Sequence, residues 1–113
     1  MAQVNQNFTM YSGNSEYIYV NITDKTGKAE QLEGCTLKWA MKQNGKTIAS
    51  KDSTNGIGIT DSTAGRVCIK LQPADTHLIS GSCNHELVLI DGDGNVTTVM
   101  TGNINILQSL LDN

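Results

Sequence analysis

The chain predicts an all-β fold, an antiparallel sandwich of seven to eight short strands with at most one short helical turn near residues 73-78. Three observations carry this. Apolar and polar residues alternate with a period of two at intervals of about ten residues, the mark of strands with one face in a core and one in water. Clusters of Gly, Asn, Asp and Ser separate the runs. The composition is 38% hydrophobic and only 17% charged, with 11 glycines and a single proline, the balance of strands joined by tight turns.

The elements follow in order. A short strand is expected around Phe8 to Tyr11. Between Tyr17 and Thr23 the alternation is clearest: Ile18, Val20 and Ile22 point one way while Tyr17, Tyr19 and Asn21 point the other, and Asp24 to Gly27 supplies a turn. Cys35, Leu37, Trp39 and Met41 share one face of the next strand. It runs into Asn44-Gly45, a dipeptide that tolerates positive φ at both positions and so predicts a tight hairpin back through Thr47 to Lys51. Ile57 and Ile59, a turn over Asp61 to Gly65, and then Val67, Ile69 and Leu71 make a second hairpin.

Pro73 to Leu78 suits one helical turn, because proline is welcome in a helix's first turn. His85 to Ile90 is apolar at Leu87 and Leu89 and again at Val88 and Ile90, as in a central strand covered over part of both faces. Asp91 to Asn95 turns the chain. The final strands are expected from Val96 to Met100 and from Asn103 to Leu107, with Gly102 a bulge or corner between them. The expected core comprises Ile18, Val20, Ile22, Leu37, Trp39, Met41, Ile57, Ile59, Val67, Ile69, Leu71, Leu87, Leu89, Ile104 and Ile106.

With 113 residues and no Pro/Gly/Ser-rich linker, one domain is expected over residues 1-107, followed by a tail over 108-113. The formal net charge is −3 and the eight basic residues are scattered, so neither nucleic acid nor an anionic membrane is an expected partner. No signal-peptide pattern and no run of about 18 apolar residues occurs, and a soluble cytoplasmic product is expected. The three cysteines, Cys35, Cys68 and Cys83, lack metal-type spacing and read as small apolar fillers.

Candidate chemistry is sparse. His77 and His85 have no serine nucleophile motif or second acid beside them, and His85 reads as a residue at a strand edge that hydrogen-bonds a neighbouring loop. Asp91-Gly92-Asp93-Gly94-Asn95 resembles the start of a calcium loop, but the twelfth position counted from Asp91 is Gly102, where such a loop needs a glutamate. No catalytic residue, cofactor or metal ligand is assigned. Tyr17 and Tyr19 share the polar face of their strand, either as a partner-binding surface or as cover for cross-strand neighbours. Leu107, Leu110 and Leu111 form an apolar cluster that docks either on its own domain or on a neighbouring subunit. These five side chains are the candidate interface.

Taken in order, several segments resemble a small immunoglobulin-like module of tailed-bacteriophage particles, notably the amino-terminal domain of baseplate upper proteins. The likeness rests on Ile18-Tyr19-Val20 before Asp24 and Gly27, on Leu32 to Trp39, and on Gly56-Ile57 and Gly65-Arg66-Val67. It continues through Leu71, Asp75-Thr76, Leu78, Gly81, His85-Glu86-Leu87, Asp91, Gly94, Val99, Gly102, Ile104 and Ile106. The chain departs from the family at Ala29-Glu30-Gln31, where proline is common, and at Cys83, where an aromatic is common. The resemblance implies a non-enzymatic virion protein, made in the host cytoplasm. It would pack against copies of itself or other virion proteins at the baseplate, tail, neck or capsid surface, within a homo-oligomer or larger assembly. A carbohydrate- or calcium-dependent binding module is the alternative.

Overall fold

A computed structural model describes residues 4–110 of the chain. In order the elements are β1 (Val4–Asn5), β2 (Phe8–Tyr11), β3 (Glu16–Asn21), β4 (Thr36–Gln43), β5 (Lys46–Asp52), β6 (Ile57–Asp61), β7 (Arg66–Leu71), α1 (Pro73–Thr76), β8 (Gly81–Ile90) and β9 (Val96–Leu107). They form two sheets. One, sheet A, runs β1-β9-β8-β4-β5 with β2 also on β9, and the other, sheet B, runs β3-β7-β6. The all-β sandwich and the helical turn are as expected, but the described residues form nine strands rather than seven or eight.

The pairing is also not wholly antiparallel, since β1 and β2 run parallel to β9. The reason lies in β9, which continues unbroken for 12 residues through Gly102 rather than splitting there. Its free side is long enough for both N-terminal strands end to end, Val4 opposite Met100 and Phe8 opposite Ile104. Two residues of β1 alternate too briefly to signal a strand.

The expected core is buried between the sheets except for Ile59, which is 38% exposed. Ile59 pairs with the buried Val67 and so keeps to the inner face, but it sits in the edge strand β6 beside the register shift that follows it, where the core is left partly uncovered. Met10, Leu32, Ala49, Cys83, Val99 and Met100 are buried too. Val99 and Met100 are adjacent yet both inside, because Leu87 pairs with Met100 while Val88 pairs with Thr98, leaving Val99 as the extra residue of a bulge.

Turn chemistry agrees with the sequence. Asn44 and Gly45 both take positive φ, 53° and 80°, in the two-residue hairpin between β4 and β5. Asp24, Asp52 and Asp61 each accept the backbone N–H and the hydroxyl of the threonine two residues on, Thr26, Thr54 and Thr63. Those threonine hydroxyls hold all three carboxyls below the ordinary value of 3.8.

His85 is not at a strand edge. It lies within β8, a central strand, opposite Met41 on one side and Gly102 on the other, and is 3% exposed. Trp39 Nε1 donates to His85 Nδ1 at 3.0 Å, which leaves the ring proton on Nε2 to donate to the Gln6 carbonyl at 2.7 Å. The hydrogen bond to a neighbouring segment is therefore present, but it is made from the core. Gly102 makes it feasible: a Cβ there would overlap the Gln6 carbonyl and crowd the His85 ring. Phe8 stands edge-on to the same ring at 5.9 Å, so the N-terminal strands are anchored onto sheet A by one indole-imidazole-carbonyl chain.

Candidate functional site

The outer face of sheet B is built by register. Because side chains of β3 alternate, Tyr17 and Tyr19 both project outward, with Lys70 and Cys68 of β7 as their cross-strand neighbours. Tyr17 is 50% and Tyr19 66% exposed. Their rings lie nearly parallel, 22° apart with centroids 6.3 Å from each other, and Lys70 Nζ stands 5.9 Å from the Tyr17 ring centre. A cation at that distance draws on the ring's negative face and steadies it without covering it. Beyond Cys68 the row ends in Gly58 of β6, so Tyr19 has only small neighbours across the sheet.

The apolar tail occupies a different place. Leu107 ends β9 opposite Tyr11, and their positions alternate with the buried Met10 and Ile106, which puts both on the outer face of sheet A. Leu110 is fully exposed. The backbone here folds onto its own domain: Ser12 N–H donates to the Leu107 carbonyl, and Ser109 N–H to the Ser12 hydroxyl at 3.1 Å. Leu111 lies outside the described residues. The described candidates thus do not form one surface; Tyr17 and Tyr19 belong to sheet B, and Leu107 to sheet A. Tyr11, 53% exposed beside Leu107, was not singled out from sequence, although its alternation with Met10 signals its outward face.

A second surface is polar. On the outer face of sheet A a depression of about 490 Å³ is lined by Asn7, Lys42, Asn84, Glu86, Thr101 and Asn103. Its polar groups bind one another and their neighbours: Asn103 N–H donates to Asn7 Oδ1, Asn103 Nδ2 to the hydroxyl of nearby Ser82, and the hydroxyl of nearby Thr98 to Glu86 at 3.0 Å. At the Asp91 turn, Asp91 Oδ1 accepts the N–H groups of Asp93 and Asn95, and Asn95 Nδ2 donates to Oδ2. The Asn95 backbone bond is the main cause holding that carboxyl below 3.8. Both oxygens are thus engaged within the loop. Among the described residues no three or more His, Cys, Asp and Glu side chains gather as metal ligands would.

The histidines play separate parts. His85 is tied to Trp39 and Gln6, and burial lowers its pKa below 6.5. His77 is exposed at the C-terminal end of α1. Burial raises the thiols of Cys83 and Cys35 above 9.0, so both stay protonated and unreactive near neutral pH.

No protein-family model matches the chain, and no curated protein matches it. Solved structures do. The fibronectin(III)-like modules of Clostridium thermocellum CbhA superpose with a TM-score of 0.50 at 16% identity, over 96% of this chain and 93% of that one. The fold is an immunoglobulin-like β-sandwich. An endo-fucoidan hydrolase from glycoside hydrolase family 107 contains a similar region, with a TM-score of 0.53 at 15% identity. The match covers 97% of this chain but only 13% of the hydrolase.

Proposed function

We propose that this chain is a non-enzymatic structural module of a tailed-phage particle, docking its sheet surfaces onto copies of itself or onto sibling virion proteins. The observation that carries the reading is the pair Tyr17 and Tyr19, held outward and half or more exposed on a strand whose other face is core. Tyrosine gives large contact area with little rotamer freedom to lose, which is the chemistry of a protein interface. The resemblance of its segment order to that of baseplate upper proteins supports the choice of particle. An immunoglobulin-like fold with its histidines apart and its turn carboxylates engaged locally is in keeping with contact rather than turnover.

Light scattering of the chain alone and with sibling particle proteins tests this, together with a search for the chain in purified particles. Association and presence in particles are expected. A strict monomer absent from particles overturns the reading. Calorimetry with calcium and a glycan panel is expected to give no heat; a saturable signal would favour the carbohydrate- or calcium-dependent alternative.

A further inference from the structure

Sheet B has an edge that the rest of the described residues leave accessible. In the order β3-β7-β6, strand β3 has a neighbour on one side only. Lys70 N–H donates to the Gly56 carbonyl on the β6 side, so alternate residues Val67, Ile69 and Leu71 turn their backbone groups toward β3. Their partners there are Val20, Ile18 and Glu16. Tyr17, Tyr19 and Asn21 therefore aim N–H and C=O away from β7, along the free edge. Among the described residues this edge receives the Gln6 side-chain amide, which donates to the Tyr19 carbonyl at 3.0 Å. A groove of about 360 Å³ runs beside it, between Phe8 and Thr9 on one side and Glu16 to Tyr19 on the other.

An edge of alternating free donors and acceptors fits an extended strand. We infer that the occupant is β3 of a second copy, antiparallel about a two-fold axis at Ile18, so that two three-stranded sheets join into one. In this register Tyr17 of one copy exchanges backbone hydrogen bonds with Tyr19 of the other, the incoming strand taking the place of the Gln6 amide at the Tyr19 carbonyl, and four rings meet on the outer face. Glu16 is the sole charged residue of β3. Antiparallel pairing sets it opposite Val20 and separates the two carboxylates by roughly 13 Å along the strands, whereas in-register parallel pairing would bring them to about 4.8 Å. An antiparallel second copy of β3 thus meets this edge with no like charges opposed, its one acid lying opposite a valine.

The inference rests on the assembly reading and names its contact. Sedimentation of the full chain over a range of concentrations is expected to show a reversible dimer. Tyr19→Pro removes an edge N–H while remaining compatible with an edge position, and should weaken the dimer about tenfold through two lost backbone bonds, one per copy. Should that variant fail to fold, Tyr17→Lys with Tyr19→Lys places like charges across the axis and should give a folded monomer. A wild-type monomer at all concentrations, or a dimer indifferent to the lysines, overturns the pairing. The two readings fail separately. A monomer that still co-sediments with particle proteins removes only the edge pairing, and a dimer foreign to particles removes only the particle role.

Discussion

The two long edges of the sandwich are finished differently. Where β5 meets β6, the chain ties its own edge: Asp52 bridges to Gly56, Asp52 and Asn55 exchange backbone hydrogen bonds, and Lys51 reaches across to Asp75 of α1 at 2.8 Å with both side chains largely buried. The Lys51 side chain also lies over Gly56, where a Cβ would overlap it. Where β2 meets β3, the closure among the described residues is one side-chain amide from Gln6, and two exposed tyrosines flank it. A charged staple makes one edge part of the fold, and its lack leaves the other free to be completed from outside.

Substitutions can break this contrast from either side. The largest effect is expected at Gly102→Val, whose side chain would displace the Gln6 carbonyl from His85 and free the N-terminal strands. A loss of about 3 kcal/mol in chemical denaturation is expected from overpacking and the broken bond. Lys51→Met keeps the packed stem but leaves the Asp75 carboxylate without its ammonium. A loss of about 2 kcal/mol, the scale of a charged hydrogen bond, is expected in the same measurement.

Acid should act through the His85 chain. Below its ordinary value of 6.5 the unfolded protein takes up a proton on His85, while burial keeps the folded imidazole neutral. Stability is therefore full above pH 6.5 and falls as the pH drops below it, until the folded imidazole titrates as well. Melts between pH 5 and 7 should show this slope, and His85→Gln should flatten it. The smallest effect on stability is expected at the open edge: Tyr17→Ser with Tyr19→Ser should change it by no more than about 0.5 kcal/mol while abolishing association.

The sandwich was legible because its signals are local. Ile18, Val20 and Ile22, or Leu37, Trp39 and Met41, declare a face by spacing alone, and Asn44-Gly45 declares a hairpin. What stayed hidden depends on contacts distant in sequence. Gly102 reads as a breaker, yet its missing Cβ makes room for Gln6, 96 positions earlier, so β9 runs straight through it. His85 looks polar enough for an edge, and only the Trp39 indole and the Gln6 carbonyl together make its burial acceptable. At the candidate interface, the alternation identified Tyr17 and Tyr19 as outward, but not that Lys70 would stand beside them or that Leu107 would fall on the other sheet. Strand pairing across the sandwich decides these, and period-two patterning carries no record of it.

Amide hydrogen exchange, followed residue by residue in dilute and concentrated protein, tests the difference between the edges most directly. The N–H groups of Tyr17, Tyr19 and Asn21 should exchange quickly when dilute and slow markedly as the chains associate, while those of β5 and β6 stay unchanged. Slowing confined to β5 and β6, or none anywhere on association, would contradict the assignment of β3 as the joining edge.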